Sequence, residues 1–228
     1  MPVSKAVSRM EDSSVMVRHN AKRRRRKAAL TKAQRAEVRR IASAQDNAKV
    51  EHYYFDDSGN TSTLVNAGVI VQLSPVPQGD GVSGRNGNEI KADYLQIRAE
   101  LSADTAGADQ RQRVRLLVIQ WMPNTLTDTP GMGELFESLT EPFSFRNLDY
   151  TGQYRVLYDL KTLVVGSAGN PDYSKYLEIT IPGKQLKHIS FNNATTAGEG
   201  QLYLVGFSTE VTNAPRLAWT ARLGYSDA

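Results

Sequence analysis

The chain has 228 residues, with 28 Lys and Arg against 24 Asp and Glu, no Cys, 17 Gly and 9 Pro, for a formal net charge of +4. The absence of cysteine excludes disulfide frameworks, thiolate zinc sites and cysteine nucleophiles together. The modest net charge is the sum of unlike parts: residues 1–50 hold 14 cations and 4 acids, a net of +10, and residues 51–228 hold 14 cations and 20 acids, a net of −6.

Every glycine and every aromatic residue lies after position 50, so the first fifty residues cannot build a core of their own and the following 178 can. The expected organisation is a basic arm over 1–50 and one folded domain over 51–228. The longest apolar run, Leu116–Ile119, is far shorter than a membrane span, and Val15–Val17 is too short for a secretory core. The expectation is a protein made and used in the cytoplasm or nucleus, with no membrane partner.

Within the arm, Lys22, Arg23, Arg24, Arg25, Arg26 and Lys27 are six consecutive cations. Such a block repels itself, so disorder is expected up to about residue 28 until a polyanion neutralises it and releases counterions. It also matches a nuclear localisation signal. Thr31 and Gln34 then have capping-box spacing, and the Ala-, Arg- and Gln-rich stretch after them predicts a short helix over about 31–44. Leu30, Ala33, Val38, Ile41 and Ala42 fall on one side of it, with Lys32, Arg35, Arg39 and Arg40 over the rest. No aromatic sits among these cations, which points to contact with nucleic-acid backbone and not to base stacking.

From residue 61 onward the pattern predicts eight strands: Val69–Leu73, Ile90–Leu101, Arg113–Trp121, Tyr154–Val165, Tyr176–Ile181, Leu186–Phe191, Leu202–Thr209 and Leu217–Tyr225. The middle of Arg113–Trp121 reads as buried on both faces. Between Gly131 and Phe143, Leu135, Phe136 and Leu139 have helical spacing ahead of Pro142, predicting a short helix in a long connection. Eight strands separated by turn residues point to an all-β, two-sheet sandwich of the jelly-roll type, with an immunoglobulin-like or barrel arrangement as the alternative.

No catalytic constellation emerges, and the chain is read as not an enzyme. Gly79, Gly81 and Gly84 match G-x-G-x-x-G, but the flanking SPVPQ and RNGNE make a turn-rich loop instead of a strand-to-helix nucleotide fold. The three histidines, His19, His52 and His188, are scattered. Asp56, Asp57, Asp80, Glu89 and Asp227 offer hard oxygen ligands without EF-hand spacing, so the residues alone leave them as solvated loop acids or calcium ligands.

The cationic arm without aromatics, feeding an eight-stranded sandwich, resembles a viral coat protein. Residues 51–90 resemble the start of the shell domain of satellite tobacco necrosis virus coat protein. The shared marks are Glu51-His52 after the arm helix, a Ser-Gly-Asn-Thr turn at Ser58–Thr61 and the Gln78–Asp80 loop followed by Arg85 and Gly87. The RVLYD stretch at Arg155–Asp159 is also similar to a strand of that protein and of capsid proteins from small circular single-stranded DNA viruses, and the closing YSDA resembles the family's terminus.

The resemblance implies a single eight-stranded jelly roll, a basic, partly helical N-terminal arm, and sixty copies in a T=1 icosahedral shell. That shell would package viral single-stranded nucleic acid through the arm. It implies location in the virion, with host cytoplasm or nucleus before assembly, and host contact through outer loops such as 122–153 and 166–174. It also implies calcium ions between subunits, held by Glu51, Asp227 and the backbone carbonyls of Asn86 and Glu89. The residues by themselves leave a second reading open: a non-assembling nucleic-acid-binding β-sandwich protein with a basic tail.

Overall fold

The computed structural model describes residues 31–49, 51–104, 111–138, 141–166 and 174–227, and the chain divides after Val50 into two units. In the first unit, helix α1 spans Lys32–Lys49. Thr31 caps it in the way its spacing predicts: the Gln34 backbone N–H donates to Thr31 Oγ1 at 3.2 Å, and the Thr31 N–H donates to Gln34 Oε1 at 3.0 Å. The helix runs five residues beyond the expected end at Ala44, because Gln45–Lys49 contains neither Gly nor Pro to stop it. Val38 and Ile41 stand about half exposed on it. The Lys22–Lys27 block and the expected disorder up to about residue 28 lie outside the described residues.

The second unit is a sandwich of nine strands. These are β1 (His52–Thr63), β2 (Val69–Gln72), β3 (Glu89–Ser102), β4 (Arg111–Trp121), β5 (Tyr154–Val165), β6 (Ser174–Pro182), β7 (Ile189–Ser190), β8 (Gln201–Ser208) and β9 (Arg216–Asp227). One sheet has the order β1-β9-β3-β6 with β7 on β3, the other β2-β8-β4-β5, and every pairing between strands is antiparallel. The chain changes sheet at each connection except β4–β5 and β6–β7. This is the wrapped double Greek key of a jelly roll, so the fold is all-β and of the expected class. Alternate residues of the facing strands, among them Leu95, Ile97, Leu101, Val114, Leu116, Val118, Ile179, Ile181, Leu217 and Leu223, fill the core between the sheets.

The second sheet is apolar on both faces. Leu117, Ile119 and Trp121 of β4 and Tyr203, Val205 and Phe207 of β8 face away from the main core and form a second cluster with Leu135, Phe136 and Tyr154. The long β4–β5 connection supplies its cover. The predicted helix there is shorter than expected: α2 is one turn, Met132–Leu135, after which Phe136 bridges to Arg146 in extended form. Phe136 is drawn out of the helix by Phe207, whose ring centroid lies 4.7 Å away. Leu139 lies outside the described residues.

Two further expectations need correction. The strand count is nine because β1 precedes residue 61, so Ser58–Thr61 is part of a strand and not a turn. Its sequence, HYYFDDSGNTST, is rich in turn formers, and pairing with β9 overrides that preference through a register shift between Gly59 and Ser62. A Cβ on Gly59 would stand 2.3 Å from Trp219 Nε1, so only glycine lets this indole pack beneath the strand. Leu186–Phe191 contributes just two strand residues, because Leu186 closes a 3-10 turn at Gly183–Gln185 and Phe191 goes on to bridge to Ala197.

The second cluster depends on few large side chains, so Phe136→Ala is expected to cost about 3–5 kcal/mol. A denaturant midpoint unchanged by the substitution would show that the β4–β5 connection does not stabilise the sheet.

Candidate cation site and nucleic-acid arm

The loop between β2 and β3 is built around one buried arginine. Arg85 is fully buried, and its guanidinium donates to the carbonyls of Val76 (3.2 Å), Gly87 and Asn193 and to Asn88 Oδ1 (3.4 Å), while lying 3.9 Å from the Phe191 ring centroid. Burial pulls its pKa below the usual arginine value, and the negative charge of Asp227 acts in the opposite direction. Around it the glycine loop closes on itself: a Cβ on Gly84 would meet the Gly79 carbonyl oxygen at 2.4 Å. No helix follows these glycines, so the G-x-G-x-x-G spacing serves a tight loop, as its flanks suggest.

This loop meets the start of β1 and the end of β9. The Tyr54 N–H donates to the Val82 carbonyl at 3.2 Å, Tyr225 Oη donates to the Gly84 carbonyl at 2.9 Å, and the Tyr53 and Tyr225 rings stack at 5.8 Å. Three of the four expected metal residues are brought together there. Tyr53 Oη donates to Glu51 Oε2 and accepts from Asn86 Nδ2 at 3.5 Å, and the Asn86 N–H donates to Asp227 Oδ2 at 3.2 Å. Asp227 Oδ1 is buried and has no hydrogen-bond partner among the described residues. A carboxylate oxygen taken from water without a proton donor is costly unless a cation joins it. The Glu51 and Asp227 carboxylates are hard oxygen donors of the kind calcium takes, and Tyr53 and Asn86 link them in one network.

Glu89 stands apart from this network by its side chain, whose Oε1 is 3.0 Å from His188 Nδ1. His52 likewise pairs with Asp93 at 2.9 Å, and Asp56 forms a two-pronged pair with Arg222 at 2.7 and 2.6 Å that holds its carboxyl below the usual range. Asp159 has a structural partner too: Arg115, 2% exposed, donates to both its oxygens at 3.0 and 2.7 Å and to the Ser144 carbonyl at 2.6 Å. Among the described residues no three His, Cys, Asp or Glu side chains converge as a metal cluster. The Glu51–Asp227 pair would therefore need backbone or partner oxygens to complete a calcium shell.

On α1, Lys32, Arg35, Arg39 and Arg40 are all exposed, with Arg40 paired to Glu37 at 2.8 Å. Such one-turn pairs contribute a few tenths of a kcal/mol, little enough for a phosphate to displace. Lys22–Lys27 lie outside the described residues. Two residues central to the body's site, Tyr53 and Arg85, were not singled out as site residues. Tyr53 had no visible signal, whereas an arginine inside a loop of glycines is a readable sign of a carbonyl-binding tie.

No family model and no curated protein sequence matches the chain. Among solved structures it is similar to one titled Desmodium yellow mottle tymovirus, at 14% identity and a TM-score of 0.37, covering 78% of this chain and 87% of that one. It is also similar to structures of infectious bursal disease virus Gx strain, at 11% identity and 0.31, and of that virus's VP2 subviral particle, at 10% and 0.28. This chain covers 78% of its own length in both and about a third of theirs, 32% and 33%.

Burial, with Asp227 and Tyr53 adding to it, raises Tyr225 to about 12, and burial raises Tyr203 to about 12. Both values exceed the ordinary phenol value near 10, so the neutral forms are favoured in the fold. Their contribution is complete below pH 10 and is lost as pH rises from 10 through 12. Absorbance at 295 nm should show at least two tyrosines ionising late, together with loss of near-ultraviolet dichroism. All phenols ionising together near pH 10 with the fold intact would contradict this.

Proposed function

We propose that this chain is a structural viral coat protein that assembles into a closed shell around nucleic acid. The observation that carries the reading is the change of charge sign at Val50, between an aromatic-free arm of net +10 and a jelly-roll body of net −6. The body's strongest charge pairs, Arg115–Asp159 and Asp56–Arg222, tie strands and loops together and leave no poised acid, base or nucleophile beside them. In the T=1 arrangement that the resemblance implies, sixty arms would bring roughly 600 positive charges to the interior, enough to offset a comparable number of phosphates. Packaging is then driven by counterion release from viral single-stranded nucleic acid, and assembly is coupled to it. Exposed Lys32, Arg35, Arg39 and Arg40, together with Lys22–Lys27, are the proposed phosphate contacts. The virion is the proposed location, with host cytoplasm or nucleus before assembly.

Calcium belongs to the same proposal. Glu51 and Asp227 would hold the ion, with the carbonyls of Asn86 and Glu89 as further candidates, and Tyr53 and Asn86 orient the two carboxylates. Bound there, the ion supplies two positive charges where the body repels its own copies.

Electron microscopy of the purified full-length protein with its nucleic acid should show closed particles of uniform size. Removing residues 1–50 should leave them empty or filled with random short nucleic acid. Dispersed monomers of full-length protein across the micromolar range would favour the non-assembling nucleic-acid-binding reading instead.

Terbium should bind in place of calcium and give luminescence on tyrosine excitation, and Asp227→Asn should reduce that signal at least tenfold. Particles indifferent to chelator, together with an unchanged terbium signal in D227N, would refute the cation site.

A further inference from the structure

The cover that the β4–β5 connection lays over the second sheet is incomplete. Past Arg115, the outward row of β4 continues as Arg113 and Arg111, opposite Leu163 and Val165 of β5. Leu163 and Val165 are 46% and 41% exposed, beside a groove of about 590 Å³ lined by Arg111, Arg113, Leu163, Thr209 and Glu210. The connection borders this bare half with two more apolar side chains. Phe143 is 45% exposed with its ring centroid 5.9 Å from the Arg113 guanidinium, and Phe145 is 81% exposed.

These phenylalanines are displayed by an anchored backbone. Ser144, between them, gives its carbonyl to Arg115 at 2.6 Å and accepts the Ser138 N–H on Oγ at 3.0 Å, while the Phe145 carbonyl accepts the Glu137 N–H at 3.1 Å. A fixed backbone that points a large aromatic at water spends stability unless something covers the ring.

We propose that Phe143 and Leu163, beside Arg113, together with Val165 opposite Arg111 and the exposed Phe145 of the same connection, form a contact surface for a second copy of this chain. The inference rests on the assembly reading and names a surface for it. At their exposures the four side chains offer on the order of 400 Å². That is about half of the ~800 Å² each partner gives to a standard interface, and close to its usual apolar share. Charge selects the same occupant. Arg111, Arg113 and Arg146 against Glu141 and Glu210, with Arg113 3.7 Å from Glu141, leave the patch one positive charge in excess on a body of net −6, so a second body brings the acidic surface it complements.

The test is Phe145→Asp in the full-length chain, followed by sedimentation velocity and electron microscopy, with circular dichroism as the fold control. The expected result is wild-type particles and a variant that stays as subunits or small oligomers with wild-type dichroism and melting. F145D assembling with wild-type yield would overturn the surface and leave the assembly reading intact. Wild-type protein that is itself monomeric would overturn both. Hydroxyl-radical footprinting of wild-type particles decides the matter independently, even where F145D misfolds. Oxidation of Phe143 and Phe145 should fall at least threefold on assembly, and unchanged oxidation would overturn the contact.

Discussion

The constraint on which the structure depends is the two-faced apolarity of the second sheet. β8 is buried along its whole length and β4 over all but its first residues, so burying one face against the first sheet leaves the other exposed. Apolar surface of that extent cannot stay in water at roughly 25 cal/mol per Å². The long connection between β4 and β5 exists in this form because it must supply the missing layer, and Leu135 and Phe136 are its anchors. Arg115, held across the sheet by Asp159, then fixes that layer to the strands beneath it by donating to the carbonyls of Pro142 and Ser144. A nearly buried arginine is tolerated there because two carboxylate oxygens and the Ser144 carbonyl satisfy its donors.

The opposite problem arises at the loop after β2, where the chain has backbone carbonyls to satisfy and little apolar surface to offer. Arg85 resolves it with the converse arrangement, a buried cation surrounded by carbonyls and an aromatic face, with no carboxylate in hydrogen-bond contact. The charge of Asp227 acts on Arg85 against burial, and Asp227 also receives the Asn86 N–H. The loop, the start of β1 and the end of β9 are therefore coupled through polar groups, and an ion at Asp227 would act on all three. The candidate cation site is in this sense a property of the loop's hydrogen bonding, and the two carboxylates alone would not define it.

Much of this was legible in the residues. Period-two alternation located the main strands, and the continuous run Leu116–Ile119 announced a strand buried on both faces. The capping box at Thr31 and Gln34 marked a helix start that the structure places at the same residue. What escaped depends on partners distant in sequence. β1 is a strand because β9, more than 150 residues later, pairs with it, and its own composition argues for turns. Phe136 leaves its helix for Phe207, 71 residues later in the chain. Asp227 stood among the candidate acids, but Glu51 and its pairing with Asp227 could be picked out only through resemblance, since nothing local joins the two ends of a domain, and Tyr53, which links them, carried no signal at all.

The same division explains the charge. A body that must cover two apolar layers uses some of its ionic groups as ties between neighbouring strands, and Arg115–Asp159, Asp56–Arg222 and Arg98–Glu178 pair six of them. A residual of −6 is small for 178 residues and comes from acids in loops and at strand ends. The arm has no such accounting to satisfy. Without aromatics or glycine it cannot fold a core, and its 14 cations against 4 acids leave an excess that the proposed polyanion would neutralise. Recognition by such a segment follows phosphate spacing and not base identity. In the proposed shell, the selectivity for packaged nucleic acid therefore has to come from length, shape and availability at assembly.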